Sequence, residues 1–411
     1  MKKPGKLNIL VVSESDKISG ITRYIESLTK FLEKEKYNVF LIHGKINKTS
    51  GLKFKAQVIK SYQLKSQSSF VKYYFQIITQ TFKAFSAIQS SRKINVIHYH
   101  HTASALGIIL NRKSFKIPKI FHFHGPWFLE FKSSIKQPKK HKMLGKISRF
   151  FKYFLLIFLL KKLQGYCLEK SQCIIAPNQF SKHNLIKYFK IDPDKIIIEP
   201  NCVDFEIFHP VPNKLNKKPI FTNRQVLLVA SRFEPRKGIQ NAILSLPEIK
   251  KNFPEILLVI SFPKTETLNL EYTEYINLVN KLNLAKSVIF VANLAKNGLC
   301  RYYNSAQLTI IPSVELENCP LVALESLACS TPVIASKSGG LAEILKPVAK
   351  NLLINKSSPK LIANSVIRYL KLENRYKKLI RKKCFDYCQQ KFNWSININK
   401  ITSIYEKISK I

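Results

Sequence analysis

Short apolar runs alternate with segments of helical period along the whole chain. Ile9–Ser13 reads as a strand, and Ile21, Tyr24, Ile25, Leu28, Phe31 and Leu32 then recur at the spacing of one helix face. Further strands are expected at Val39–His43, Val96–His100, Lys119–His124, Cys173–Pro177 and Lys195–Glu199. Apolar strands separated by helical segments are the mark of a parallel sheet covered on both faces. Val203–Thr222 interrupts the rhythm with Pro210, Pro212 and Pro219 among Asn and Lys, and reads as a linker. Strands resume at Gln225–Ala230, Ile256–Ser261, Val288–Val291, Leu308–Pro312 and Pro332–Ala335, with a helix at Ile239–Lys250. Helical segments at Pro359–Lys371, Arg375–Lys391 and Ile396–Ile411 close the chain. The pattern predicts an α/β protein with two doubly wound domains, residues 1–205 and 206–390, and a terminal helix within 391–411. Ligands of such sheets sit outside the carboxyl ends of the strands.

A length of 411 residues agrees with two domains of about 150–200 residues each. The charge balance changes the picture more. Lys and Arg total 68 against 25 Asp and Glu, a formal net charge of +43, which attracts polyanions or anionic lipid. Lys, Ile, Asn and Phe are abundant together, so compositional bias supplies part of that charge. The eight cysteines form no CxxC pair and several lie in apolar runs, which suits reduced, buried thiols and a cytoplasmic setting. The apolar run after the basic Met1–Leu7 is too short for a signal peptide, and no run reaches the ~18–20 residues of a membrane span.

Between Glu130 and Glu169 there is no acidic residue, while Lys132, Lys136, Lys139, Lys140, Lys142, Lys146, Arg149, Lys152, Lys161 and Lys162 all lie there. Lys142, Lys146, Arg149 and Lys152 recur at helical spacing and lead into the apolar run Tyr153–Leu160. Such a segment is expected to lie on an anionic membrane, here through Lys132–Lys162, placing the protein at the cytoplasmic face. A core helix with a solvated basic side is the rival reading. Nucleic acid is not an expected partner, because the cations are interleaved with Leu, Ile and Phe and no recognition motif is present.

Three segments carry candidate chemistry. Pro312–Glu325 (PSVELENCPLVALE) runs from a strand end into a helix that begins near Pro320, where free N–H groups and the helix dipole suit a diphosphate. Glu317 precedes that helix within reach of a sugar, and Glu325 lies one to two turns inside, where a carboxylate accepts two vicinal hydroxyls. A helix-capping acid and a surface Glu are the plain alternative. Ser231–Gly238 (SRFEPRKG) follows a strand, with Arg232 and Lys237 placed to meet a phosphate pair. Ser336–Glu343 (SKSGGLAE) is the third segment.

Taken together, these segments resemble glycosyltransferase family 4, the retaining group with the GT-B fold of two Rossmann-like domains facing across a cleft. Ser19-Gly20, His98 and His100, His122-Phe123-His124-Gly125, Ile198–Asp204 (IEPNCVD), and Phe392 with Trp394 before the last helix extend the resemblance over nearly the whole chain. It implies a domain at 1–205 that binds acceptor and one at 206–390 that binds nucleotide sugar, with the last helix packing back on the first. It implies that Arg232 and Lys237 hold the donor diphosphate, Glu325 the ribose and Glu317 the transferred sugar. Backbone N–H groups near Leu321 and Val322 would touch phosphate, His124 would line the sugar pocket, and Gly20 would let backbone approach donor and acceptor. The implied reaction is metal-independent, retaining transfer from a nucleotide diphosphate sugar, UDP by default, to a hydroxyl of a glycan or lipid-linked acceptor, without cofactor. Ser19, Cys202, Ser231 and Pro320 stand where the family usually has glycine.

Two metal readings are weaker. Asp192-Pro193-Asp194 is a D-x-D, but its place ahead of a strand reads as turn chemistry. His98, His100, His101, His122 and His124 look like a metal nest, but alternating histidines on a strand share one face, and structural and sugar-pocket roles outweigh a zinc site. The alternatives to transfer are a catalytically inactive basic scaffold that binds membrane or other polyanions, and an epimerase or phosphorylase on a similar fold.

Overall fold

The computed structural model describes residues 7–13, 19–44, 53–62, 70–135, 146–211, 224–263 and 268–410. It divides into two compact units, Met1–Pro200 with Asn397–Ile411, and Asn201–Ile396.

The first unit contains β1 (Asn8–Val12), α1 (Gly20–Lys34), β2 (Asn38–Gly44), β3 (Gln57–Tyr62), α2 (Phe70–Gln89), β4 (Val96–Tyr99) and α3 (Thr102–Ile109). It continues with β5 (Lys119–His122), α4 (Trp127–Ile135), α5 (Lys146–Glu169), β6 (Cys173–Ala176), α6 (Gln179–Phe189) and β7 (Ile196–Ile198). Its sheet is parallel, in the order β3-β2-β1-β4-β5-β6-β7. The order reverses between β1 and β4, which defines a switch point at their carboxyl ends. The strands are buried almost end to end, as the apolar runs predict. Gly107 of α3 lies so close to α2 that a Cβ there would meet the Ile78 carbonyl oxygen at 2.4 Å.

Ser19, a departure from the family's usual glycine, caps α1. Its hydroxyl accepts from the Thr22 N–H at 3.2 Å, and the Thr22 hydroxyl accepts from the Ser19 N–H at 2.8 Å. Such reciprocal capping satisfies two otherwise orphaned donors. Asp192-Pro193-Asp194 forms a 3₁₀ turn in which the Asp192 carboxylate accepts from the Asp194 N–H, in line with the turn reading.

The second unit contains β8 (Gln225–Ala230), α7 (Ile239–Asn252), β9 (Ile256–Phe262), α8 (Leu268–Lys281), β10 (Val288–Ala292), α9 (Lys296–Ser305), β11 (Ala306–Ile311) and α10 (Leu321–Ala328). It continues with β12 (Val333–Ser336), α11 (Leu341–Ala349), β13 (Leu353–Ile354), α12 (Pro359–Leu370), α13 (Asn374–Phe392) and the start of α14 (Trp394–Ile408). This sheet is also parallel, in the order β10-β9-β8-β11-β12-β13, with its switch point between β8 and β11. The start of the segment read as a linker belongs to the core here. Val203 and Phe208 are buried, and the Val203 N–H donates to the Phe392 carbonyl. Pro212 and Pro219 lie outside the described residues.

Asn397–Ile411, which includes the rest of α14, belongs to the first unit. There the Tyr37 hydroxyl donates to Glu406 at 2.7 Å, and Lys400 lies 3.7 Å from Glu199. Burial outweighs Lys400 and raises the Glu199 carboxyl to about 7. A folded chain that keeps this proton up to about pH 7, while the unfolded carboxyl loses it near 4.5, loses stability as pH rises through that window. Urea unfolding of Glu199→Gln at pH 5 and pH 8 is therefore expected to show a flatter pH dependence and a gain at pH 8. Parallel pH profiles for variant and wild type would contradict the assignment.

Candidate active site

In the second unit the loops leaving β8 and β11 meet at the switch point. After β8, the Ser231 N–H still donates to the Ser261 carbonyl, and the chain then tightens. The Glu234 N–H donates to the Arg232 carbonyl at 3.0 Å, the Lys237 N–H to Glu234 at 2.8 Å and the Gly238 N–H to Pro235 at 3.0 Å. Gly238 adopts φ 63°, and α7 starts behind it. After β11, the Val314 N–H donates to the Arg236 carbonyl at 2.9 Å and locks the two loops together. Ser336, at the end of β12, donates to the Ser313 carbonyl, and the Gly340 N–H donates to the Glu317 carbonyl. The three segments singled out in the sequence thus converge.

Their side chains form a chain of ion pairs. Lys237 Nζ lies 2.5 Å from Glu317 Oε1, which also accepts the Ser313 hydroxyl at 2.7 Å and has Arg236 at 3.9 Å. Arg236 and Arg232 each pair with Glu234 at 2.8 Å. Burial alone would raise the Glu317 carboxyl, but Lys237 and Arg236 outweigh it and hold it below the usual carboxylate range. Glu234 is depressed by the same balance, with Arg232, Arg236 and Lys237 prevailing over burial. Exposure falls along the chain, from 41% for the Arg232 side chain to 17% for Lys237 and 9% for Glu317. The cluster presents cations outward over a fixed carboxylate.

α10 begins at Leu321 with Pro320 as an extended cap, so Leu321 and Val322 occupy the first two positions, whose N–H groups have no acceptor within a helix. Glu325 is buried, at 3% exposure, and accepts the Tyr303 hydroxyl at 3.0 Å. Sequence reasoning missed Glu234 and Arg236, although both stood in the quoted loop. It also missed Tyr303, 22 residues before Glu325, for which no local signal exists.

The first unit carries a second cluster at the carboxyl ends of β4 and β5. His98 lies in β4, His122 in β5, and His100 and His124 just beyond those strands. His98, His100 and His122 are buried, and the His122 and His124 rings stack at 4.6 Å. Burial first, and neighbouring histidines second, hold His98, His100 and His124 well below the ordinary imidazole range. Gly20, the first residue of α1, has no described atom within 4 Å of where a Cβ would sit.

The family described as Glycosyltransferase Family 4 matches residues 18–207, and Glycosyl transferases group 1 matches residues 211–383. The chain belongs to glycosyltransferase family 4. It is 30% identical over 195 residues to a D-inositol 3-phosphate glycosyltransferase of Acidothermus cellulolyticus, a match over 45% of this chain that spans 43%, under half, of that relative. It is 24% identical to an uncharacterized glycosyltransferase of Methanocaldococcus jannaschii across 95% of each chain. Among solved structures, Alr3699/HepE of Anabaena in complex with UDP and glucose matches with a TM-score of 0.75 at 16% identity, over 98% of this chain and 100% of that one. The fold is the α/β GT-B fold.

Proposed function

We propose that this protein is a retaining glycosyltransferase that moves a sugar from a nucleotide diphosphate sugar, UDP-linked by preference, to a hydroxyl of a glycan or lipid-linked acceptor. The observation that carries this reading is the Lys237–Glu317 pair at 2.5 Å, held between β8, β11 and the start of α10. The UDP and glucose of the Anabaena neighbour support the donor class. In this reading Lys237 and Arg232 meet the donor diphosphate with the N–H groups of Leu321 and Val322, Glu317 holds the transferred sugar and Glu325 the ribose. As the bond from the anomeric carbon to the phosphate oxygen breaks, its electron pair stays on the phosphate. The fixed cations and helix start stabilise that charge without a metal. The acceptor oxygen bonds to the anomeric carbon on the face the phosphate leaves, and its proton passes to the departing phosphate. An NMR assignment of the product anomer tests this: retained configuration is expected, and inversion would overturn it.

In the first unit, His124 is assigned to the sugar pocket and Gly20 to close approach of donor backbone contacts. Because no described atom crowds Gly20, Gly20→Ala is expected to keep the unfolding midpoint and to lower turnover by ~10²-fold through misplacement. Unchanged turnover would remove Gly20 from the site.

Peripheral membrane binding at the cytoplasmic face is part of the proposal. Phe154, Leu155, Phe158 and Leu159, one side of α5, are 47–62% exposed, which opposes the core-helix reading. Lys152 is exposed beside them, and Lys162 lies over the Phe158 ring at 5.6 Å. No helix among the described residues is long and apolar enough to cross a membrane. Lys136, Lys139, Lys140 and Lys142 lie outside the described residues. Co-sedimentation with vesicles rich in anionic lipid, lost in Phe154→Ser/Phe158→Ser, is the expected result.

A further inference from the structure

We infer that the first unit holds a first-row divalent transition metal, of the zinc class, on His98, His100 and His122. The strand pleat puts His98 and His100 on one face of the chain leaving β4. The register Tyr99↔Phe121, carried one residue further, sets His100 opposite His122 of β5. The three rings pack at 4.4–5.5 Å between centroids. One ring nitrogen from each lies within 4.8 Å of the others.

Two features distinguish this cluster from ordinary buried imidazoles. His98 and His100 are 0% and 2% exposed, and the Nε2 of each has no hydrogen-bond partner. Their other nitrogens are engaged. His98 Nδ1 lies 2.7 Å from the Tyr405 hydroxyl, and His100 Nδ1 lies 3.1 Å from His124 Nε2. With the proton on Nδ1 in both rings, His98 donates to Tyr405 and His100 to His124, and each Nε2 is left as a bare lone pair. Outer hydrogen bonds that fix ring and tautomer are the usual support of a metal-ligating histidine. Three neutral imidazoles suit zinc, cobalt, nickel or copper, and three histidines are a known protein set for zinc.

The size fits after a small movement. A triangle of side 4.8 Å puts each nitrogen at most about 2.8 Å from the centre, against about 2.0–2.1 Å for a zinc–imidazole bond. Each ring therefore moves inward by about 0.7 Å or less. Tyr24, whose ring packs 4.6 Å from His122 and 5.7 Å from His100, closes one side of the pocket. A buried ion here cross-links β4 to β5 and, through Tyr405, to α14. This is a structural role, so the inference does not rest on sugar transfer, and it departs from the sequence reading, which set metal aside.

Untagged full-length protein, stripped with a chelator, is titrated with Co2+ and followed by visible absorption and thermal unfolding. The expected result is one Co2+ per chain with the intense bands of a four-coordinate site, displaced by Zn2+, and a raised unfolding midpoint. His122→Gln is expected to lose both effects. X-ray absorption of the zinc-loaded wild type, which needs no variant to fold, is expected to show three imidazoles at about 2.0 Å. Fewer than three imidazoles, or no saturable binding by the wild type, would overturn the site.

Discussion

Gly238→Ala is expected to destabilise the second unit by about 2–5 kcal/mol and to abolish donor binding. At φ 63° an alanine adopts a left-handed conformation, which costs roughly 1–2 kcal/mol. Its Cβ would stand 2.1 Å from the Pro312 carbonyl oxygen and 3.1 Å from a Val314 methyl, so the loop after β11 must move. Overpacking of this kind costs about 1–3 kcal/mol more. The movement also breaks the Val314–Arg236 hydrogen bond and separates Lys237 from Glu317. Gly298→Ala is the control. It lies inside α9, its Cβ would meet only Leu294 at 3.5 Å or more, and it is expected to be neutral or to stabilise by about 1 kcal/mol. Denaturant unfolding of both variants measures the contrast, and equal stabilities would show that the left-handed turn is not what holds the site.

Lys237→Ala is expected to lower turnover by about 10²–10³-fold, the usual effect of removing one group that stabilises a developing anion. Lys237→Arg is not expected to restore it, because a planar fork does not replace a compact ammonium 2.5 Å from Glu317. The substitution also leaves a buried carboxylate supported by Ser313 and by Arg236 at 3.9 Å, so stability falls. Adding Glu317→Gln removes that charge and is expected to recover stability while turnover stays low. Kinetics and unfolding of the Lys237 variants test the assignment, since a purely structural Lys237 predicts that turnover of Lys237→Ala falls no further than its folded fraction.

Much of this architecture is legible in the residues. Continuous apolar strands such as Gln225–Ala230 and Ile256–Phe262 announce themselves because both faces of a parallel sheet are covered. β3, whose sequence includes Lys60 and Ser61 and which exposes Val58, lies at the sheet edge and carries little of that signal. β13 is only two residues long, too short to register. The site shows the same division. Arg232, Lys237, Glu317 and Glu325 stand at fixed positions beside strand ends and helix starts, which local pattern reveals. Which acid meets which cation depends on the turn at Gly238 and on the lock between the two loops, and neither is local. Glu325 finds Tyr303 only because α9 and α10 pack together. The alternation of His98, His100, His122 and His124 was visible, but the alignment of β4 with β5 was needed to bring the nitrogens together.

The most direct test of the central claim is thermal unfolding of the wild type and of Arg232→Ala/Lys237→Ala against UDP-, GDP- and ADP-sugars. A ligand at about 100 times its dissociation constant stabilises its site by about 2.7 kcal/mol. One nucleotide sugar, a UDP-sugar by expectation, should raise the wild-type midpoint and leave the variant unchanged. No shift with any nucleotide sugar, or an equal shift in both proteins, would contradict a nucleotide-sugar site at Arg232 and Lys237 and bring the inactive basic scaffold forward.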